Sequence, residues 1–458
     1  MTMHLRIAKV ERANGLQSTS GHRNGRRLCM VVHSSYPIDP RVRREARAAV
    51  DAGHSVDVIC LRDPGQLRFE IIEGVAVRRL SIRHVPGRRV WRVLYEYLAF
   101  VSVATLALGP AAVRRRYQVI HIHNPPDFLI VAGLFPRLFG SKLILDVHDL
   151  SSHMFRSRFQ GRAGHLAGRL LDLIERWAGR LAHVVLTVHE PYRRELVTHG
   201  VAADKVVVVM NTTDEAVVSA VRRRRTRLKS DGFLVGYSGT IAPWYGVNLI
   251  VDAIEEIARE LEYAKALILG GGDMLDAVRA HAVARGVADR MEFSGGWLPV
   301  EQTLGRLSHA SCGVIPNLPT ELNRYALSTK LFEYIALDLP VVVARLETLQ
   351  GHFSEQEVTF FTPGDSASLA RALKWVATHP REAKAKADRA RARVALEYSW
   401  PTNRDRYLAA VELCGLPRKP AGRLTRPYGL EETLRPQFER QQTEDLAGVV
   451  ERSGVMTP

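Results

Sequence analysis

Cysteine is scarce: Cys29, Cys60, Cys312 and Cys414 are the only four in 458 residues, and no two have the spacing of a zinc or redox pair. A disulfide-stapled scaffold and a cysteine-ligated zinc fold are excluded. Cys29, Cys60 and Cys312 lie in apolar, strand-like runs, where a free thiol packs as a small hydrophobe. Dispersed apolar residues, rather than runs of about 20, exclude a multispanning membrane protein. No Gly-x-Gly-x-x-Gly occurs, which removes the dinucleotide fingerprint. Residues 1–25 are polar and basic and lack the apolar centre of a secretory signal. They read as a flexible leader, and a reducing cytosol is the expected compartment.

What remains is an ordinary globular composition, 46% hydrophobic and 24% charged, with a basic bias of 64 Lys and Arg over 48 Asp and Glu, a net +16. At about 150 residues per domain the length suggests two or three domains. Nine arginines fall between Gly74 and Arg116 (Arg78, Arg79, Arg83, Arg88, Arg89, Arg92, Arg114, Arg115 and Arg116), against one acid, Glu96. A second run is Arg222 to Arg225. No nucleic-acid recognition module or basic helix with interleaved aromatics accompanies them, so no nucleic-acid partner is expected.

Short β-branched runs alternate with helical stretches twice along the chain. Such continuous apolar runs joined by helical crossovers predict parallel sheets. The reading is therefore α/β, with two tandem doubly wound, Rossmann-like domains facing across a cleft. Residues 26–215 form the first and 216–415 the second, meeting near 212–232; residues 416–458 have little periodicity and are expected to be disordered. Ligands of such sheets bind outside the carboxyl ends of the strands, so the residues that follow each strand carry the functional information.

After the first strand, Asp39 and Pro40 read as a helix cap and first helical position. His121-Ile-His123-Asn-Pro-Pro-Asp127 ends the fourth predicted strand, and its two histidines share one face. Asp146-Val-His148-Asp149 ends the fifth. In the second half, Gly236-Tyr-Ser-Gly239-Thr240 and Gly270-Gly271-Gly272-Asp273 are small-residue turns that let backbone amides approach a phosphate. The most informative segment is Ser328-Thr329-Lys330-Leu331-Phe332-Glu333-Tyr334. Ser328 and Thr329 can cap a helix. Lys330 in the first turn opposes the helix dipole, and an anion between them would relieve this. Glu333, one turn on, can accept two hydrogen bonds from a ribose diol.

Taken together and in order, Asp39-Pro-Arg-Val-Arg-Arg-Glu-Ala, Val119-Ile-His-Ile-His-Asn-Pro-Pro-Asp, Asp146-Val-His-Asp-Leu, Val235-Gly-Tyr-Ser-Gly-Thr, Leu269-Gly-Gly-Gly-Asp and Lys330-Leu-Phe-Glu-Tyr make the chain resemble the family 4-type (group 1) glycosyltransferases of the GT-B architecture. The resemblance covers roughly residues 27–413. It implies an acceptor-binding first domain, a donor-binding second domain, a nucleotide-diphosphate sugar as donor, and no metal or other cofactor. Glu333 would hold the ribose, Gly239 and Thr240 would lie against the diphosphate, and Gly271, Gly272 and Asp273 would border the nucleotide. Lys330 and Leu331 belong to the same donor site. His123 would sit at the reaction centre with His148 and Asp149 beside it. Transfer with retention, by attack on the face the diphosphate leaves, would need no enzymic nucleophile.

Two positions depart from the family pattern. Tyr325 stands where many relatives have the first of two glutamates eight positions apart, and Gly239-Thr-Ile-Ala-Pro-Trp-Tyr-Gly246 lacks the cations that grip the diphosphate. Lys330 and Arg324 are the candidates to replace those cations. A catalytically silent GT-B subunit is the rival reading. Tyr97–Val113 is an uncharged stretch of 17 residues between arginines, at the lower limit for a spanning helix. A buried domain helix and an interfacial helix both fit it. The arginines and a glycan or lipid-linked acceptor suit an anionic membrane surface, and hence a peripheral position on its inner face.

Overall fold

The computed structural model describes residues 25–82, 90–114, 116–158, 162–213, 215–224 and 232–414. The leader, the tail, and Arg83, Arg88, Arg89, Arg115 and Arg225 of the basic runs lie outside them.

The first sheet contains β1 (Arg27–Ser35), β2 (Ser55–Leu61), β3 (Phe69–Ile72), β4 (Val75–Leu80), β5 (Val119–His123), β6 (Lys142–Val147), β7 (Val184–Thr187) and β8 (Val206–Val208). Their order across the sheet is β3-β4-β2-β1-β5-β6-β7-β8. The second contains β9 (Phe233–Ser238), β10 (Ala264–Leu269), β11 (Met291–Phe293), β12 (Cys312–Ile315), β13 (Val341–Ala344) and β14 (Thr359–Phe361), in the order β11-β10-β9-β12-β13-β14. All neighbours are parallel except β3 with β4. Chain order reverses beside β1 and beside β9, the switch points at which such sheets open a ligand crevice. The fold is thus the expected pair of doubly wound α/β domains. The central strands β5, β7, β12 and β13 are buried at every position, which is why they read as unbroken apolar runs.

Three local features differ from the sequence reading. β3 is an added edge strand, paired antiparallel with β4 through a turn at Glu73 and Gly74, both at positive φ (52° and 81°), as a tight hairpin requires. The crossover after β5 is not one regular helix but a 3₁₀ stretch, Asp127–Gly133, followed by the short helix Leu134–Leu138. The tight turn lets Gly133 lie on β6, where a Cβ would sit 2.7 Å from Leu143 Cδ2. The helix Trp400–Cys414, read with the second domain, crosses back to the first. Its Tyr407, Ala410, Val411 and Cys414 join the core between the first sheet and the helix Pro40–Asp51. Asn403 Oδ1 also accepts from Met210 N at 2.8 Å.

Candidate active site

The carboxyl ends of both sheets open onto a cleft of about 660 Å³. Ser34, Asp39, Arg41, His148, Asp149 and His189 line the first-domain wall, and Gly239, Thr240, Tyr245, Gly270, Trp297, Lys330 and Glu333 the second.

Behind the first wall lies a buried charge network. Asp39 caps the helix Pro40–Asp51, its Oδ1 accepting from Arg41 N and Val42 N, and so aims Arg41 along the sheet. Arg41 grips Asp146 with two parallel bonds, Nε to Oδ2 at 2.8 Å and Nη2 to Oδ1 at 2.7 Å. Its Nη1 donates to Val209 O at 2.7 Å, tying the wall to the interdomain segment. Glu45, one helical turn after Arg41, stands 3.3 Å from Arg41 Nε. His148 Nε2 lies 3.1 Å from Asp146 Oδ2 and 3.1 Å from His123 Nδ1. His121 fills the base of the network, its ring 4.1 Å from His123 and stacked on Tyr407.

Burial opposes ionising Asp146, but the Arg41 guanidinium overcomes it and holds the carboxyl well below the usual range. Glu45 goes the other way, pushed well above by burial. Burial also lowers the pKa values of His121 and His123. The Arg41 guanidinium and the ionised Asp146 are thus the charged centre of the network. Asn124 joins the two loops that carry the histidines: its Oδ1 accepts from His148 N at 2.7 Å, and its Nδ2 donates to Asp127 Oδ1 and Asp149 O.

The second wall is built around Lys330. Ser328 occupies the N-cap position of the helix Thr329–Ala336 without a side-chain cap bond, so its hydroxyl leaves the first amides open to the cleft. Lys330 Nζ lies 4.7 Å from the Tyr237 ring and 4.4 Å from the Tyr245 ring, and donates to Tyr237 Oη at 3.2 Å. The stem runs past Gly239 (φ 120°), where a Cβ would meet Lys330 Cε at 2.3 Å; only glycine admits the lysine there. Burial pushes the ammonium pKa down to about 8, against a smaller opposing effect of Glu333. Glu333 is itself raised by burial, with Lys330 and Arg44 opposing.

Of the residues expected at the site, His148, Asp149, Gly239, Thr240, Lys330 and Glu333 line the cleft. His123 does not: it is fully buried behind His148, because β5 turns its last side chain into the sheet's packed face. Leu331 is buried in the second core, one helical position away from the cleft. Arg324 is exposed and turned to Glu347 (Nε to Oε2, 2.6 Å), so it replaces no diphosphate cation. Gly271, Gly272 and Asp273 lie just behind Gly270. Gly271 packs beside Trp297, Gly272 backs onto Ile241 and Asp273 is exposed. Tyr325 packs edge-on against His153 of the first domain at 5.0 Å.

Arg41, Glu45 and Asp146 were not read from the sequence as site residues. A signal existed: Arg41 and Glu45 are four apart on the face that Val42, Ala46 and Ala49 bury, so both had to enter the core. The lining residues Trp297 and Tyr245 carried no pattern of their own.

A glycosyl transferase 4-like domain model matches residues 38–212, and a glycosyl transferase-like model matches residues 252–409. The chain is similar to a glycogen synthase of Mycobacterium tuberculosis, 24% identical over 320 residues, which cover 65% of this chain and 72% of the relative. Its fold is similar to sucrose-phosphate synthase of Thermosynechococcus elongatus (TM-score 0.67, 18% identity, 85% of this chain and 98% of that one). Anabaena Alr3699/HepE, solved with UDP-glucose, is also similar (TM-score 0.64, 15% identity, 85% and 100%). So is WaaG, a glycosyltransferase involved in lipopolysaccharide biosynthesis (TM-score 0.64, 14% identity, 85% and 100%). Two glycosyltransferase models matched in tandem, on two doubly wound domains that share one cleft, establish that the chain belongs to the group 1 glycosyltransferases of the GT-B architecture.

Proposed function

We propose that this glycosyltransferase moves a sugar from a nucleotide-diphosphate donor to a glycan or lipid-linked acceptor, with retention and without a metal, in cell-surface polysaccharide or glycolipid synthesis. The observation that carries the reading is Lys330, held between two tyrosine rings at an open helix N-terminus, with Glu333 one turn below. The ammonium and the amides supply fixed positive potential where negative charge grows on a departing diphosphate. Glu333 accepts from the ribose hydroxyls. His148 and Asp149 face the donor from the other wall.

The lining carboxyls support retention by attack on the departing face. Asp39 is committed to its helix cap, Asp149 is raised by burial, and Glu333 is placed for the ribose, so none is a free nucleophile. Metal independence is supported by Arg41. Glu45, His121, His123 and Asp146 bring four ligand atoms within 4.8 Å of one another, but the guanidinium already supplies the cation between the two carboxyls. A cytoplasmic position on the inner face of the membrane is supported by the helix Trp91–Val113. It is long and apolar enough to cross a bilayer, but a third of its most apolar 18-residue stretch is buried in the protein.

The test is thermal unfolding with a panel of UDP-, ADP- and GDP-sugars, with and without EDTA. One nucleotide sugar should raise the midpoint by mass action, unchanged by EDTA. No response to any of them would refute the donor site, and loss of the response in EDTA would refute metal independence. With a matched acceptor, His148→Ala should lower turnover about a hundredfold or more while leaving donor affinity within a few fold. Equal loss of both would move His148 into the ground-state donor site.

A further inference from the structure

The helix Arg162–Leu181 is inverted in its amphipathicity. Its fully buried positions are Gly164, Gly168, Glu175, Ala178 and Gly179, whereas Leu166, Leu170, Leu173 and Trp177 are 71%, 59%, 59% and 41% exposed. These four, at i, i+4, i+7 and i+11, form one stripe at the helical period. Small residues on the inner side are needed for close packing: a Cβ on Gly179 would lie 2.6 Å from Val201 Cγ2. The outer side has no such constraint, so water alone does not account for three leucines and a tryptophan there.

The stripe is not isolated. Phe135 and Leu138 are exposed on the adjoining short helix, and Arg137 Nη1 of that helix donates to Leu181 O at 2.6 Å, fixing it beside the stripe. The 3₁₀ stretch Asp127–Gly133 packs against both the helix Arg162–Leu181 and the helix Val90–Val113. That second helix exposes Trp91, Leu94, Leu98 and Leu106. Across these segments the acids are withdrawn. Glu96 is buried against His33, Asp172 is paired with Arg156, and Glu175 is buried against His199. The exposed charges among the described residues are Arg92, Arg114, Arg169 and Arg180.

We propose that the helix Arg162–Leu181 is a second membrane-seating element, which lays its Leu166–Trp177 stripe into an anionic bilayer beside the helix Val90–Val113. The inference rests on the peripheral position proposed above and adds the residues that insert. Apolar residues at the acyl boundary, with arginines at headgroup level, are the chemistry of interfacial helices. A second copy of the chain fits less well, because a two-fold contact would place arginines against arginines. The seat also adjoins the cleft. The helix Val90–Val113 contacts His33 through Glu96 and Phe100, and the next residue, Ser34, lines the acceptor-side wall. A lipid-linked acceptor would have a short path from bilayer to cleft.

The experiment is co-sedimentation of the full chain with vesicles of phosphatidylcholine alone or with about one-third phosphatidylglycerol, at ~0.1 M and ~1 M salt, where the Debye length falls from about 10 to about 3 Å. The wild type should bind the anionic vesicles and keep part of that binding at high salt. Leu166→Gln/Leu170→Gln/Leu173→Gln should weaken binding about tenfold or more and abolish the salt-resistant part, with an unchanged unfolding midpoint as evidence of an intact fold. Arg169→Gln/Arg180→Gln should weaken only the salt-sensitive part. If the leucine variant binds like the wild type, this proposal is overturned while the peripheral reading stands. If the wild type binds neither vesicle, both are overturned. A wild-type dimer that the leucine substitutions dissociate, with no vesicle binding, would assign the stripe to a second copy instead.

Discussion

Arg41→Met is expected to destabilise the first domain by about 3–5 kcal/mol and to abolish turnover. Methionine matches the volume and removes the charge. Asp146 would then be a buried carboxylate without its two guanidinium bonds, and Val209 O would lose its donor. The effect should depend on pH in a defined direction. In the wild type the folded-state pKa of Asp146 lies well below its unfolded value, so its contribution is complete above the unfolded pKa of about 4 and is lost as pH falls through the folded value. In the variant, burial without a partner raises the same carboxyl. The deficit should therefore be largest near neutrality and shrink as pH falls through the variant's raised value, where the folded variant takes up a proton that the folded wild type does not. Urea unfolding at pH 7 and pH 4, followed with a first-domain probe, measures it. A variant within about 1 kcal/mol of wild type at pH 7 would mean that Arg41 and Asp146 break even against solvent. The pair Arg41→Met/Asp146→Leu should recover part of the stability but none of the turnover, which separates the structural role of the network from its role in holding His148.

Lys330→Ala should weaken binding of a nucleoside diphosphate about tenfold to a hundredfold, the range of a charge-assisted hydrogen bond worth roughly 1.5–3 kcal/mol. The expected loss is near the upper end, because Arg324 faces Glu347 and Arg41 is committed to Asp146, so neither backs up Lys330. Affinity should also fall as pH rises through the depressed ammonium value of about 8, at which the free enzyme loses the charge. Bound diphosphate favours the charged form, so binding near pH 9 should be accompanied by proton uptake. Lys330 also predicts a stability slope of the same sense as that of Asp146, in a more alkaline window. Its folded pKa lies below the unfolded value near 10.5, so the charged form disfavours folding below pH 8, and stability is regained as pH rises from about 8 to 10.5. Isothermal titration with UDP, ADP and GDP at pH 7 and pH 9 tests the charge, and Glu333→Gln in the same assay tests the ribose contact. Unchanged affinity in both variants would remove the proposed donor site.

The site was only partly legible in the sequence. Lys330 and Glu333 could be read because a helix start places i and i+3 on one face, and a cation against the dipole is locally anomalous. His148 and Asp149 could be read because they follow a strand end. His123 satisfied the same rule and is nevertheless sealed behind His148, since the depth of a strand's last side chain depends on what packs over it. Arg324 was a plausible cation by proximity in sequence, but its rotamer is decided by Glu347, 23 positions away. The lysine's aromatic clamp brings together Tyr237, Tyr245 and Lys330 from three separate segments, a convergence that no local pattern encodes.

By itself the sequence determined the class of fold, two doubly wound α/β domains in tandem, and the strand ends at which a ligand would be met. Both follow from periodicity and turn chemistry, which act over a few residues. Tertiary structure alone decided the rest. The 105-residue separation of Arg41 and Asp146 closes into two hydrogen bonds, the helix Trp400–Cys414 returns to the first domain, and the Leu166–Trp177 stripe faces outward. Each depends on which surfaces the folded sheets bring together, and burial then shifts the charge balance that a sequence leaves open: desolvation raises the Glu45 carboxyl and depresses Lys330, and the Arg41 guanidinium holds Asp146 well below the usual carboxylate range.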